Sequence, residues 1–313
     1  MSIPRTPPSG EIESFESARP PMYFFLLGDT GSGDQNQYDV AGAMERRCLE
    51  LPQVNGMFLL GDLFYMTGVS GLNDPQWKDK IETPYSTPCL SKVNMYPIFG
   101  NHDYKGDKES FLLYRNENPR WKMPGRFYSV DFSIALVPRE GKTGDPDAEN
   151  RKSTDPRTFI KFIALDSNFT DFCLSPKDCV VDFLTEELDS PAFWKVVLAH
   201  YPLSSSSKKK YQYTGETAFG YLYRWLACDK TNAWVSGHAH FLEHRKIPNC
   251  SADLFVSGGG GGELDSINEG NRESKFASSQ FGFMEMEVAQ STIKVRFFAK
   301  DSKILYEYEM HRK

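Results

Sequence analysis

The sequence predicts an α/β fold, because short apolar segments alternate along the chain with segments of helical periodicity. A second indication is a recurring unit in which an apolar segment ends at a turn that carries Gly with Asp, Asn or His. The third is composition: 40% of the 313 residues are hydrophobic and 14% are aromatic, which suffices for a sizeable core.

The first half of the chain alternates strands with helices. We predict strands where apolar runs end in polar turns, over residues 22–29, 54–62 and 93–103. Residues 37–52 have helical periodicity and stop at a proline. A second helix is predicted over residues 73–86, because Asp74 and Pro75 resemble a cap followed by a first-turn proline.

The second half continues this alternation and adds a hairpin. Helices are predicted over residues 179–190 and 220–230. Strands are predicted over residues 125–133, 157–167, 193–202, 231–240, 252–262, 281–289, 292–300 and 303–312. The run of five glycines inside 257–265 favours a flexible loop, with the alternative that backbone at the rim of a site approaches a ligand there.

The chain reads as one domain with a polar lead-in. Residues 1–20 are rich in Pro, Ser and Glu and are expected to be disordered, and the lead-in has no apolar segment typical of a signal peptide. Residues 21–313 are expected to form a single domain. An exposed insertion is expected at about 138–157, because that stretch is polar and rich in turn residues.

Charge and hydropathy exclude several kinds of partner. The net charge is −6 and the pI about 5.6, so we expect no nucleic-acid surface. No apolar stretch reaches the ~20 residues of a membrane span. The basic run at 204–210 (SSSSKKK) is read as a solvated loop, with contact to a phosphate group or a membrane as the alternative.

The cysteines leave the compartment open. There are six, without a CxxC pair, which argues against a zinc knuckle. Cys173 and Cys179 could close a short disulfide loop, and an even count is compatible with an oxidising compartment. Glycosylation sequons begin at Asn168 and Asn249, and both are treated as chance matches.

Polar residues of the types that bind metals follow five of the predicted strands. Four of the six histidines fall in these turns, and scattered core or surface histidines would not sort that way. Each turn alone can be explained by a capping residue or a buried polar group. All five together indicate a metal site. The residues are Asp29, Asp62, Tyr65, Asn101, His102, Asp103, His200, His238 and His240.

These ligand types divide into two metal sites. Asp29, Tyr65 and His240 would form an anionic oxygen-rich site, and a tyrosine binds as phenolate at neutral pH only to a strongly acidic ion such as Fe(III). Asn101, His200 and His238 are neutral and suit Fe(II), Zn(II) or Mn(II). Asp62 would bridge the two ions, which form a clamp for displacement at phosphorus.

This set resembles the calcineurin-like metallophosphoesterase superfamily and, within it, the purple acid phosphatases of the small tartrate-resistant type. The first turn has Gly31 two residues after Asp29, where the wider superfamily has a histidine, and Tyr65 stands three residues after Asp62, as in purple acid phosphatases. The stretches GDLFYMTGVSGLNDPQW and GNHDY also match, and the resemblance spans roughly residues 22–300. It implies a four-layer α/β/β/α sandwich of two mixed sheets flanked by helices.

The resemblance implies a dinuclear acid phosphatase that cleaves phosphate monoesters by attack of a metal-bound hydroxide. Asn101 and His102 would contact the substrate. His102 would also protonate the leaving group, or, as the alternative, only make a supporting hydrogen bond. Asp103 would orient His102 or a ligand histidine. Alternatives are phosphodiester, nucleotide or phosphoprotein substrates at the same metals, or a non-catalytic scaffold. The family also suggests a secreted, lysosomal or vacuolar location.

Three positions depart from the family pattern. Tyr104 stands where the small enzymes commonly have a second histidine, which puts that histidine's contact with substrate in doubt. Leu63 replaces a typical asparagine, and Ala239 replaces a typical aspartate without an expected effect on metal binding.

Overall fold

The computed structural model describes residues 20–133, 158–168, 180–209, 218–270 and 272–312. Its strands are β1 (Met22–Leu27), β2 (Gly56–Leu59), β3 (Met95–Pro97), β4 (Tyr128–Ser133), β5 (Thr158–Ala164), β6 (Trp194–Ala199), β7 (Ala233–Ser236), β8 (Leu242–Arg245), β9 (Asp253–Ser257), β10 (Ser274–Ser278), β11 (Gly282–Val288), β12 (Thr292–Ala299) and β13 (Ile304–His311). Its α-helices are α1 (Gln35–Glu50), α2 (Lys108–Leu113), α3 (Val180–Asp189) and α4 (Ala218–Ala227).

The strands form two mixed sheets. The six-stranded sheet has the order β13-β12-β11-β1-β2-β3, and the seven-stranded sheet has the order β10-β8-β9-β7-β6-β5-β4. β1, β2 and β3 are parallel neighbours, as are β5, β6, β7 and β9, while the remaining pairings are antiparallel. Two mixed sheets flanked by helices confirm the predicted fold class.

Successive residues along the central strands point to opposite faces of the sheet and so belong to two different hydrophobic layers. On β5, Phe162 faces the other sheet, and its ring centroid lies 4.9 Å from that of Phe24 and 4.1 Å from that of Phe58. Its neighbour Ile163 belongs instead to a second cluster with Leu184 of α3 and residues of α4. α1 packs against β11 and β12 on the opposite outer face. The layers therefore run helix, sheet, sheet, helix.

Three elements were not predicted from the sequence. β8 carries Glu243, His244 and Arg245, whose polar side chains suggest a turn, yet all are buried. They are tolerated because they are paired: Arg245 Nη1 lies 2.9 Å from Glu243 Oε1, and His244 Nε2 lies 2.8 Å from Asp253 Oδ1. β10 is a polar strand at a sheet edge, and α2 has only six residues, too few to show a helical period.

The helix predicted over 73–86 forms only in its middle, over residues 76–82. Residues 76 and 77 are α-helical and continue into the π-helix Lys78–Glu82. Asp74 lies just before this segment, and its carboxylate accepts a hydrogen bond from the backbone N–H of Gln76, as a capping residue does, and another from that of Ser70.

Two disulfides hold loops that the sequence analysis left unpaired. Cys48 of α1 is bonded to Cys89, and Cys228 after α4 is bonded to Cys250 in the turn between β8 and β9. Disulfides persist mainly in oxidising compartments. The predicted Cys173–Cys179 loop lies outside the described residues, as do residues 1–19 and 134–157, so the domain boundaries stay a prediction. Within the described ranges, no helix is both long and apolar enough to cross a bilayer.

Candidate metal centre

The predicted ligand residues gather where the parallel strands of both sheets end. Asp29 follows β1 and His238 follows β7, and the backbone N–H of His238 donates to Asp29 Oδ2 at 2.8 Å. Asp62 follows β2 and His200 follows β6, and their Oδ1 and Nε2 atoms are 3.5 Å apart. The carboxyl ends of the two sheets therefore meet at one edge, which is where α/β sheets usually place their sites.

One group contains Asp29, Tyr65 and His240. Tyr65 Oη lies 3.2 Å from Asp29 Oδ1 and 2.9 Å from His240 Nε2. His240 Nε2 is in turn 3.4 Å from Asp29 Oδ1. These three polar atoms converge on one point, as the ligands of a single cation would.

The second group contains Asn101, His200 and His238. His200 Nε2 lies 3.1 Å from Asn101 Oδ1 and 3.2 Å from His238 Nδ1. Asp62 belongs to both groups, because its carboxylate falls within 4.8 Å of the ligand atoms of His200 and His238 and also of those of Asp29 and His240. The structure thus brings together all seven predicted ligands, in the predicted division.

Backbone carbonyls fix how two of the histidines face the site. His200 Nδ1 lies 2.8 Å from the carbonyl oxygen of Leu60, and His240 Nδ1 lies 2.6 Å from that of Glu263. Each ring therefore directs Nδ1 at a carbonyl oxygen and Nε2 toward the acidic groups. Such outer hydrogen bonds usually set the tautomer of metal-binding histidines.

The backbone at three of these residues adopts a sparsely populated conformation. Asp29, Asp62 and His238 have φ of 59°, 53° and 67°. A left-handed non-glycine residue costs about 1–3 kcal/mol and persists where the surroundings impose it, most often at functional sites. Each of these three residues directly follows a glycine, in the turn after a strand. The turns therefore direct the side chains toward the site, and the cost is local backbone strain.

Two glycines allow the loops to approach each other. A Cβ on Gly100 would lie 2.2 Å from Asp62 Oδ1, and a Cβ on Gly61 would lie 2.7 Å from His200 Nδ1. The glycine run is also packed rather than flexible: residues 257–262 are buried, and the N–H of Gly262 donates to the carbonyl of Asp29 at 2.7 Å. The expectation of a flexible loop was wrong.

The site is a buried cluster of acidic and basic groups. Burial raises the pKa of the Tyr65 phenol, and the neighbouring Asp29 and Asp62 carboxylates raise it further. Burial lowers the pKa of His238, and His200 lowers it further. A phenol in such surroundings gives up its proton only to a strongly acidic cation, so the donor set fits a metal ion of high charge.

Metal binding at neutral pH should release protons. Burial lowers the pKa of His200 and His240, but Asp62 and Asp29 respectively outweigh it and raise both values to about 9. Both rings are then protonated at pH 7 without metal, and a cation must displace those protons. Because Zn(II) suits the group that contains His200, calorimetric titration with Zn(II) in two buffers of different ionisation enthalpy should give different heats, corresponding to about one proton released. Equal heats would contradict this account.

His102 lies at the surface of the centre. Its ring meets the Tyr65 ring edge-on at 4.8 Å between centroids, and its Nδ1 lies 2.9 Å from the carbonyl oxygen of Met66. His102, Tyr65 and His240 together line a cavity of about 710 Å³ that also reaches Lys209 and Phe281. A ligand in this cavity would therefore meet His102 directly.

Asp103 plays a different part from the one expected. Its carboxylate is buried and accepts hydrogen bonds from the backbone N–H groups of Leu63, Phe64 and Gly100, at 3.0, 3.2 and 2.8 Å. These donors replace the histidine partner that the sequence analysis expected. Asp103 therefore ties the loop after β2 to the loop after β3, and so holds Asp62 and Asn101 in register.

Sequence reasoning missed a sixth strand end. Asp166, Ser167 and Asn168 follow β5, beside the turns after β3 and β6. The same signal was present, since the apolar run 159–165 ends in Asp, Ser and Asn. Asn168 Nδ2 donates to the carbonyl of Phe99 at 3.0 Å, so this sequon asparagine is engaged beside the site.

Comparisons with known proteins agree with this geometry. A family model described as calcineurin-like phosphoesterase matches residues 22–242. Purple acid phosphatase 3 of Arabidopsis thaliana is 27% identical over 91% of this chain and 76% of its own length. Human tartrate-resistant acid phosphatase type 5 is 24% identical over 95% of this chain and 93% of its own length.

Two solved structures share the fold. The Plasmodium protein GAP50, described as the anchor in the inner membrane complex, superposes with a TM-score of 0.76 at 21% identity, over 94% of this chain and 90% of that one. The purple acid phosphatase PPD1 of yellow lupin gives 0.67 at 16% identity, over 94% of this chain and 54% of that one. Because the family model covers well over half of it, the chain belongs to the calcineurin-like phosphoesterases and is a metal-dependent enzyme of that class.

Proposed function

We propose that the protein is an acid phosphatase that hydrolyses phosphate monoesters at a dinuclear metal centre. The observation that carries the proposal is the pair of converging ligand groups that share Asp62. One ion would be held by Asp29, Tyr65 and His240, the other by Asn101, His200 and His238, with Asp62 between them. Two bound ions would stabilise charge on the phosphate oxygens and lower the pKa of a water ligand.

The donor chemistry supports different metals in the two positions. The Tyr65 group contains a phenol and carboxylates, which favour Fe(III). The Asn101 group offers two imidazoles and an amide oxygen, which favour Fe(II), Zn(II) or Mn(II). Tyr65 further favours a trivalent over a divalent ion. Because the pKa of its phenol is raised, a weakly acidic divalent ion is a poor partner for the phenolate.

The protein's own groups would position the substrate and move one proton. We assign Asn101 and His102 to contact with the phosphate ester, since His102 lines the cavity and Asn101 is its neighbour in the chain. With Nδ1 directed at the Met66 carbonyl, His102 has Nε2 for protonating the leaving oxygen. The cavity of about 710 Å³ has room for a leaving group larger than a simple alkyl chain.

A non-catalytic role is the alternative that the fold leaves open. GAP50 shares the fold and is described as an anchor, so the sandwich alone does not separate an enzyme from a scaffold. The geometry favours the enzyme, because a scaffold has no need for three strained ligand residues and a shared carboxylate.

The disulfides support an oxidising compartment. Cys48–Cys89 and Cys228–Cys250 would be reduced in the cytosol, and the related phosphatases agree with a secreted, lysosomal or vacuolar location. We propose that location for this protein. Fractionation of the source cells should recover it with secreted or vesicular material, and recovery in the cytosolic fraction with free thiols would contradict the proposal.

A substrate panel tests the preference for monoesters. Metal-loaded protein should release phosphate from aryl and alkyl monoesters and from a phosphopeptide, and should act on a bis-aryl phosphodiester far more slowly. The reason is that His102 is placed to protonate one leaving oxygen while the remaining phosphate oxygens stay available to the ions. Faster turnover of the diester would move the assignment to a phosphodiesterase.

A further inference from the structure

The turn after β5 supports the loops of the candidate site. Asp166 is fully buried, and its Oδ2 accepts a hydrogen bond from the Tyr104 hydroxyl and one from Arg126 Nε, the latter at 2.9 Å. Arg126 also donates to the Tyr104 oxygen. The N–H of Asn168 donates to Asp166 Oδ1 at 3.2 Å. A buried carboxylate with this many donors holds its partners firmly in place.

The same turn contacts two of the three loops that carry Asn101, His200 and His238. Asn168 Nδ2 donates to the carbonyl of Phe99, two residues before Asn101, at 3.0 Å. Ser167 Oγ accepts from the N–H of Tyr201 at 3.1 Å, next to His200. The Tyr201 ring lies 4.5 Å from the His238 ring. Asp166, Ser167 and Asn168 therefore brace the two loops that present Asn101 and His200.

Tyr104 links this turn to His102. It lies in the 3-10 turn Asp103–Lys105, whose N-cap is His102, and its N–H donates to the carbonyl of Gly100 at 3.3 Å. Its ring packs edge-on against Phe99 at 5.4 Å. The side chain does not belong to the wall of the cavity beside His102, because it points toward Asp166.

We propose that Asp166 and Tyr104 are positioning residues that fix His102 for protonation of the leaving group. Tyr104 serves as an anchor on the buried Asp166 rather than as a contact to substrate. Releasing the anchor lets the turn Asp103–Lys105 and the His102 ring shift, while the N–H of His102 stays bound to Asp62 Oδ1 at 2.7 Å. This inference rests on the proposed phosphatase function.

The test compares two substrates in a Tyr104→Phe variant. Nitrophenolate is a good leaving group without a proton, whereas the alkoxide of an alkyl phosphate needs one. Loss of the correct placement of His102 should therefore slow hydrolysis of the alkyl ester only. We expect kcat for the alkyl phosphate to fall roughly 10- to 100-fold, as for other outer supporting residues. The KM values, the kcat for the nitrophenyl ester and the metal content should change little.

A matched control removes another tyrosine–carboxylate bond. The Tyr114 hydroxyl donates to Glu82 Oε1 at 2.6 Å, away from the metal centre, so Tyr114→Phe should leave the ratio of the two rates unchanged. Asp166→Asn should repeat the Tyr104→Phe pattern, because it removes the charge that Tyr104 and Arg126 share. It serves as the second variant if Tyr104→Phe folds poorly.

The outcomes separate this inference from the proposed function. Equal slowing of both esters, no slowing, or loss of metal in Tyr104→Phe and in Asp166→Asn would overturn the positioning role while wild-type hydrolysis stands. If the metal-loaded wild-type protein hydrolyses neither ester, the proposed function fails, and the positioning role fails with it.

Discussion

An Asp62→Asn variant should lose phosphatase activity by at least about a thousandfold, which corresponds to about 4 kcal/mol of transition-state stabilisation. Asp62 is the carboxylate common to both ligand groups and is 1% exposed. An amide has one oxygen and no charge, so it cannot serve two cations as a carboxylate does. Elemental analysis should therefore show fewer than two metals per chain.

Folding must be separated from chemistry in that experiment. Asn keeps an oxygen that can accept the hydrogen bond from the backbone N–H of His102, which Asp62 Oδ1 receives at 2.7 Å. Thermal unfolding and circular dichroism of the metal-free variant, set against the metal-free wild type, show whether the fold survives the loss of the Asp62 charge beside His200. Asp189→Asn is a suitable control, because Asp189 lies at the surface in an ion pair with Lys230. Undiminished turnover by Asp62→Asn would contradict the shared centre.

A Tyr65→Phe variant should lose the Fe(III) position and its colour. The phenol oxygen is the atom that approaches both Asp29 Oδ1 and His240 Nε2, and phenylalanine has no replacement for it. We expect iron affinity to fall by more than about 100-fold, since changes to supporting groups alone cost 10- to 100-fold. A visible absorption band of an iron–phenolate pair should be present in the wild type and absent in the variant.

The colour makes this test independent of activity. Tyr114→Phe, in which the deleted hydroxyl lies against Glu82, should keep the visible band and the iron content. If Tyr65→Phe retained a band of the same position and strength, another group would have to supply the charge transfer. In that case the Tyr65 assignment would be wrong.

Periodicity and turn chemistry predicted the central part of the fold. Of the apolar segments that became β1, β2, β6 and β7, β2 and β7 are buried throughout and β1 and β6 at all but two and one of their residues, and each segment ends at a polar turn. Such strands can be recognised in the sequence because a strand that is covered on both faces has to be apolar. The candidate ligands were found for the same reason, because polar side chains placed directly after those strands reach one edge of the sandwich.

The elements that were missed depend on partners distant in sequence. β8 is buried although its residues are charged, and only the structure shows that Arg245 meets Glu243 and Glu273 there. Cys48 and Cys89 are 41 residues apart, and no local pattern pairs them. Asp103 was expected to orient His102 or a ligand histidine, whereas its carboxylate accepts from backbone N–H groups that local sequence does not identify.

The central claim, a dinuclear metal centre that hydrolyses phosphate monoesters, is tested most directly by hydrolysis of an aryl phosphate from about pH 4 to about pH 9. The protein should be loaded with iron alone, with iron and zinc, and with zinc alone, and metals counted in each sample. We predict an acid optimum that requires iron and coincides with two metals per chain. The acid optimum is expected because a trivalent ion held by Asp29, Tyr65 and His240 would lower the pKa of a bound water. Absence of turnover with every metal, despite full occupancy, would contradict the enzyme and favour a scaffold.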